Sequence, residues 1–419
     1  MRFERLDDWL RWQESCHPVA IDLGLERVRE VALRLGLLPA RAKVITVAGT
    51  NGKGTCVAAV EQLLSAAGQT CGVYSSPHIL HYRERIRLNG GFATEDDICR
   101  AFSAIDDARG DISLTYFEFG TLAALYLFHE ANVPYWVLEV GLGGRLDATN
   151  IVDADIAVIT SIALDHTEWL GPDRESIGRE KAGICRPGIP LVCADFDPPN
   201  SVLETAARLQ CKLFRINEDF GFHSGQQGTV FWLGDLQSSP VQVNLPCPSL
   251  AAALQVGFLL NLFSELPVAA FERIVLPGRL QYVNASGRNV ILDVAHNPAA
   301  FTYLARQLQS RHPGEKFAVV VAMMADKDLQ DALAAFVDIA ASWHLTTIPG
   351  FARAASSAQL RQALPNNAAA TEYASVDDAL SAVLHNNSSV PVLITGSFYT
   401  VADATRFLQH RETAIETVG

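Results

Sequence analysis

No apolar stretch of the chain reaches the roughly 18 residues that a membrane span requires, and the opening segment MRFERLDDWLRW lacks the apolar core of a signal peptide. A cytosolic protein with no membrane partner is therefore expected. No C-x-x-C pair occurs among Cys16, Cys56, Cys71, Cys99, Cys185, Cys193, Cys211 and Cys247. Their scatter suits neither a zinc cage nor a disulfide scaffold, and they read as small, reduced core residues. Positive charge is in deficit, with 33 Lys and Arg against 46 Asp and Glu and a formal net charge of -13. Nucleic acid needs a basic face, so that partner class is excluded, whereas a small anionic substrate is compatible with a local pocket. Internal repeats and low-complexity tracts are missing as well.

What is there is length and alternation. At 419 residues and 49% hydrophobic, the chain exceeds what one core usually organises, and two domains are expected. Strand-like runs at residues 43–48, 70–74, 135–140, 156–161 and 190–193 alternate with helical periodicity at 25–35, 56–67, 118–131 and 175–182. Short apolar strands separated by helices predict a mainly parallel sheet covered on both faces. From 213 to 245 the texture changes to short runs, 230–233 and 241–245, with Gly and Ser turns, which predicts an antiparallel patch. A second α/β unit begins near Asn289, with strands expected at 290–294, 317–323, 342–347 and 392–395. The expected fold is an α/β protein. A P-loop-type parallel-sheet ATPase domain with a small antiparallel patch covers residues 1–286, and a smaller Rossmann-like α/β domain covers 287–419, joined through 284–288. Clefts between such domains commonly hold active sites.

Between the run 43–48 and its helix stands Gly49-Thr50-Asn51-Gly52-Lys53-Gly54-Thr55. Small residues let backbone N–H groups approach phosphate oxygens, the helix N-terminus adds positive potential, and Lys53 can neutralise the terminal phosphates. The loop departs from G-x-x-x-x-G-K-[ST], because residue 47 is Val and Gly54 separates Lys53 from the Thr55 hydroxyl. A bare tight turn is the alternative. Glu139 closes one strand run, and Asp165-His166 follows another. In a parallel sheet both fall at carboxyl ends of strands, on the edge that carries the loop. A carboxylate buried there is costly unless a cation balances it. Magnesium takes few protein oxygens, so Glu139 with the Ser76 hydroxyl would suffice beside ATP. Alternatively Glu139 pairs with Arg145, and His166 caps a strand.

These segments, taken in order, resemble the folylpolyglutamate synthases of the Mur ligase superfamily. The likeness rests on Val47 to Thr55, Ser75-Ser76-Pro77-His78, Glu139 to Asn150, Leu164-Asp165-His166 and Gly178 to Gly183. It continues through Leu276-Pro277-Gly278-Arg279, Asp293 to Pro298, Asp326-Lys327-Asp328 and Gly396-Ser397-Phe398, nearly the whole chain. The resemblance implies an ATP-dependent acid–amino-acid ligase with two magnesium ions, held by Ser76, Glu139, His166 and Lys181. Lys181 looks like the family lysine that takes up carbon dioxide as a carbamate; an ion pair with a carboxylate is the plainer reading of that residue. Lys53, Lys181 and His166 would be catalytic. Besides the loop, Arg279 and Asp293 would contact ATP, as would Ser249, which stands where relatives usually carry Asn. His296 and Ser397 are candidates for the incoming L-glutamate.

Residues 114–120, with Thr115, Tyr116, Phe117 and Glu118, and the early segment around Ser15, Cys16 and His17 resemble the bacterial bifunctional enzymes. Those accept dihydropteroate as well as tetrahydrofolates. Leu146, Asp147 and Ala148 would complete the acceptor site, although an aromatic opening an apolar helix also reads as core packing. The expected chemistry is attack of the acceptor carboxylate on the γ-phosphorus of ATP, then attack of the glutamate amine on the acyl phosphate. A monomer is expected. A cell-wall amide ligase of the same superfamily, a nucleotide-regulated scaffold and a dehydrogenase are the rivals. The last lacks a G-x-G-x-x-G turn at Gly141-Leu142-Gly143-Gly144.

Overall fold

The computed structural model describes residues 2–285, 287–386 and 389–416, with 411–416 given by backbone alone. Two compact units emerge, Met1–Val275 and Leu276–Gly419. Ser286, at the expected junction, lies outside the described residues.

The first unit is built on eight strands: β1 (Lys43–Ala48), β2 (Cys71–Tyr74), β3 (Ile86–Leu88), β4 (Gly91–Phe92), β5 (Tyr135–Glu139), β6 (Ile156–Ile159), β7 (Pro190–Cys193) and β8 (Lys212–Arg215). Their order is β4-β3-β2-β5-β1-β6-β7-β8. The six strands from β2 to β8 through β1 run parallel, and β3 and β4 are antiparallel at one edge. Apolar side chains alternate between two cores, as a parallel sheet covered on both faces requires. Trp136 and Leu138 join Trp9, Phe102, Phe119 and Phe128 in one; Ala157 and Ile159 join Ile177, Ile184, Leu191 and Val202 in the other.

The expected patch over 213–245 is smaller than the sequence suggests. Strand β8 pairs parallel with β7, Leu191 opposite Leu213, because the helix Asn200–Arg208 between them makes a crossover rather than a hairpin. The antiparallel meander proper is β9 (Phe220–Gly225), β10 (Gly228–Leu233) and β11 (Leu236–Gln237); of 241–245 only Val241 bridges, to Thr229.

The second unit carries β12 (Gln281–Ala285), β13 (Arg288–Leu292), β14 (Phe317–Val321), β15 (Ala340–Leu345), β16 (Ala370–Glu372) and β17 (Val392–Thr395), ordered β12-β13-β17-β14-β15-β16. All neighbours are parallel except β12 and β13, which pair antiparallel with Asn284 opposite Asn289 and Ala285 opposite Arg288. Phe301 and Phe336 stack at 4.7 Å within its core. Among the described residues no helix is long and apolar enough to cross a membrane.

Tight packing against the first sheet yields a stability prediction. A methyl group on Gly72 of β2 would collide with the Phe128 ring. Gly72→Ala is expected to lower unfolding free energy by about 1–3 kcal/mol in urea titrations.

Candidate active site

Strand register decides what meets at the sheet edge. Val47 lies opposite Glu139, Ala48 opposite Ile159, and Tyr74 opposite Leu138. The carboxyl ends of β2, β5, β1 and β6 are therefore neighbours, and they bring Ser76, Glu139, the loop 49–55 and Thr160-Ser161 to one edge. Two loop glycines have no substitute. Gly49 (φ 147°) faces Thr160 Oγ1, and Gly52 (φ 88°) faces Ser249 Oγ, each so closely that a Cβ would overlap the hydroxyl.

Not every N–H of the loop faces outward. The Thr50 N–H donates to the Ser161 carbonyl at 2.6 Å, and the Asn51 N–H to Ser161 Oγ at 3.1 Å. The helix Lys53–Ala66 follows, and its bond from Cys56 N–H to the Gly52 carbonyl closes the first turn. The N–H groups of Lys53, Gly54 and Thr55 precede that bond and lack intrahelical acceptors, so they are the donors a phosphate can use. The expected cradle is thereby narrowed to its C-terminal half. Thr160 and Ser161 were not among the residues singled out from sequence; two hydroxyls ending an apolar run were their only trace.

Both candidate lysines converge on the loop. Lys53 Nζ donates to the carbonyls of Gly49 (3.0 Å) and Thr50 (3.1 Å), and Lys181 Nζ donates to the same Gly49 oxygen at 2.9 Å. Lys181 is 4% exposed. Burial, then the Lys53 charge, lowers its pKa to about 7, against the opposing pull of Asp165 and Asp147. Its hydrogen-bond partner is the neutral Gly49 carbonyl, which differs from the ion pair considered above.

Glu139 is buried. Its Oε2 accepts the Ser76 N–H at 3.3 Å and lies 3.6 Å from where a Cβ on Gly54 would stand. Arg145, the alternative partner considered for Glu139, bonds Glu180 at 2.9 Å. Burial and the nearby Glu139 charge push the Cys56 thiol up to about 12. His166 takes a left-handed conformation (φ 50°) before a short helix, with Nε2 3.9 Å from Asp165 Oδ1. Among the described residues no three His, Cys, Asp or Glu side chains are gathered to hold a metal unaided. One buried carboxylate beside the loop 49–55 still fits magnesium, which draws its remaining oxygens from phosphate and water.

The acceptor-side residues split into two groups. Phe117 places its ring where a side chain on Gly141 would stand, and Tyr116 packs edge-on to Tyr82 at 5.6 Å, with the Arg85 guanidinium 5.5 Å from its ring centre. Thr115 and Glu118 are occupied structurally: Glu118 Oε2 accepts the Thr115 N–H at 2.7 Å, and Thr115 Oγ1 accepts the Glu118 N–H at 3.2 Å. The other Glu118 oxygen accepts from Arg27 at 3.2 Å. Asp147, buried, accepts from the N–H groups of Gly141 (3.0 Å), Leu142 (2.9 Å) and Thr149 (3.0 Å), which oppose the upward push of burial on its pKa. Leu146 is half-buried and Ala148 buried beside it. His17 bridges Ser113 Oγ and Asp22 Oδ2, each at 3.0 Å, and Asp22 also receives Arg27 at 2.6 Å. Ser15 bonds the Trp12 carbonyl, and Cys16 packs against the core.

In the second unit, Asp293 accepts the Leu280 N–H at 2.8 Å and the Ala295 N–H at 2.9 Å. Burial raises its pKa, while the Arg279 charge opposes that. Arg279 lies 4.9 Å over the Phe398 ring, and His296 is 5.9 Å from the same ring. Ser397 Oγ accepts the Thr400 N–H at 3.0 Å, so its hydroxyl caps the helix Phe398–Glu416.

A pattern described as the Mur ligase middle domain matches residues 47–217, and one described as the Mur ligase glutamate ligase domain matches 278–398. Fold and site together are those of an ATP-dependent ligase. Sequence comparison is more specific: the dihydrofolate synthase/folylpolyglutamate synthase of Escherichia coli K12 is 43% identical over 410 residues, 97% of this chain and 96% of that protein. The protein of the same name from Haemophilus influenzae is 37% identical over 428 residues, covering 95% and 96%. E. coli FolC in complex with DHPP and ADP superposes with a TM-score of 0.91 at 42% identity, covering 98% of this chain and 99% of that one. The bifunctional Yersinia pestis enzyme complexed with AMPPNP and Mn ion gives 0.89 at 45%, covering 97% and 98%. The chain belongs to the dihydrofolate synthase/folylpolyglutamate synthases of the Mur ligase family.

Two predictions follow from this geometry. Gly52→Ala must displace Ser249 or the loop, and titration calorimetry with a nonhydrolysable ATP analogue is expected to find binding lost. Lys181 has a folded pKa below its ordinary 10.5, so its charge destabilises the fold in full below about pH 7, and that penalty fades as pH rises towards 10.5. Lys181→Met should therefore raise the melting temperature more at about pH 6 than at about pH 10.

Proposed function

We propose that the chain ligates L-glutamate to dihydropteroate, giving dihydrofolate, and to reduced folates, giving folylpolyglutamates, with ATP as the energy source. The observation that carries this reading is the placement of the Lys53 loop beside buried Glu139, on a chain related end to end to enzymes of that name.

A carboxylate resists nucleophilic attack because its charge is shared by two oxygens, and phosphorylation makes it an electrophile. In our scheme the acceptor carboxylate attacks the γ-phosphorus and ADP departs. The N–H groups of Lys53, Gly54 and Thr55 hold the phosphates, and Lys53 turns from the Gly49 and Thr50 carbonyls to meet the transferring group. Glu139, Ser76 and His166 would hold a divalent cation, which would supply charge neutralisation there. The glutamate amine then adds to the acyl carbon, phosphate leaves, and the amide remains.

The downward shift of the Lys181 pKa supports a further assignment, because only an unprotonated amine reacts with carbon dioxide. Its carbamate would offer an oxygen donor for a second magnesium. Arg279, Asp293 and Ser249 are assigned to ATP, and His296 with Ser397 to glutamate. Thr115 to Glu118, Leu146 to Ala148 and the segment Ser15 to His17 are assigned to the pterin-bearing acceptor. The enzyme works in this reading as a cytosolic monomer.

A heavy-oxygen label in the acceptor carboxylate is expected to appear in released phosphate; a label that stays wholly in the product eliminates the acyl phosphate. Lys53→Ala and Glu139→Ala should each abolish glutamate-dependent phosphate release with either acceptor while melting near the wild-type temperature.

A further inference from the structure

The loop that binds phosphate in this reading is held from behind by two hydroxyl side chains that no assignment above uses. Thr160 Oγ1 donates to the Asn51 carbonyl at 2.7 Å and lies 3.3 Å from the Ala48 carbonyl. Ser161 Oγ donates to the same Asn51 oxygen at 3.1 Å and accepts the Asn51 N–H at 3.1 Å, so it spans both polar groups of one residue. The Ser161 carbonyl takes the Thr50 N–H at 2.6 Å. The chain beyond adds a fourth tie: Thr50 Oγ1 donates to the Ala163 carbonyl at 3.2 Å and receives the Ala163 N–H at 3.1 Å. Thr160 is 2% exposed, and its hydroxyl fills the space left by the missing side chain of Gly49.

Three glycines in seven residues give this loop wide backbone freedom, and ordering it on ligand arrival would subtract from affinity. Anchoring removes that cost beforehand. The strand pairing Ala48 to Ile159 delivers the two hydroxyls to the turn. Because they are consumed by the loop backbone, they are not available to phosphate, and any effect on nucleotide must pass through the loop.

We propose that Thr160 and Ser161 are positioning residues of the ligase. They preorganise the Gly49–Thr55 turn so that the N–H groups of Lys53, Gly54 and Thr55 converge on the triphosphate, and they set nucleotide affinity without touching it. This deepens, and rests on, the assignment of that turn to ATP.

The test compares Thr160→Val, which keeps shape and removes the hydroxyl, with Thr160→Ser, which keeps the hydroxyl, and with Ser161→Ala and Lys53→Ala. Binding of a nonhydrolysable ATP analogue is measured by calorimetry, and KM by steady-state assay. Thr160→Val and Ser161→Ala should each weaken analogue binding about tenfold and raise KM for ATP, leave KM for glutamate unchanged, and Thr160→Ser should recover most of the affinity. Should Thr160→Val fail to fold, Ser161→Ala decides alone. Wild-type affinity in both hydroxyl-free variants alongside loss in Lys53→Ala overturns the proposal, as does an equal rise in KM for every substrate. If Lys53→Ala also retains affinity, the turn is not the triphosphate site, and the underlying assignment falls first.

Discussion

Everything at this site depends on the hydrogen-bonded register of β1 between β5 and β6. A shift of β1 by one residue would turn its own side chains to the opposite faces of the sheet and draw Gly49 away from Thr160. With the register fixed, four strand ends supply a carboxylate, two hydroxyl anchors, a glycine turn and the backbone of Ser76 within one rim. None of these parts is unusual alone. Their coincidence at the carboxyl edge of a parallel sheet is what the proposed nucleotide site consists of.

Charge at this rim is arranged against its own stability. Lys53 and Lys181 share one carbonyl oxygen, and desolvation with mutual repulsion pulls the buried Lys181 down to about 7. Glu139 is buried nearby with the Ser76 N–H as a donor. Such an arrangement is costly in a resting protein and useful when a highly charged ligand arrives, because the fixed groups need little rearrangement to meet it. Asp147 and Glu118 show the opposite pattern. Their oxygens are taken up by the chain's own N–H groups, so they hold the loops in which they stand.

Local patterns carried much of this into the sequence. The loop 49–55 is legible because glycine spacing and the following helix are contiguous, and β1, β7 and β17 fall where apolar runs of four to six residues stand. Glu139 is legible because it ends such a run. Partners distant in sequence are not. Lys181 reaches Gly49 across 132 positions, and Thr160 reaches Asn51 across 109. Arg145 stands close in sequence to Glu139 yet bonds Glu180, because the turn 141–147 carries it to the helix Arg174–Ala182. Strand β8 went unseen as a parallel strand, since four residues of pattern do not reveal which neighbour they pair with.

Relatedness along the whole chain establishes the ligase family, whereas the residue roles rest on chemistry and geometry, which a loaded structure examines together. Crystals grown with manganese and a nonhydrolysable ATP analogue should show the terminal phosphates against Lys53 and the N–H groups of Gly54 and Thr55. An anomalous manganese peak should lie on the Glu139 carboxylate. A triphosphate bound away from Lys53, or a metal that ignores Glu139, would contradict the account.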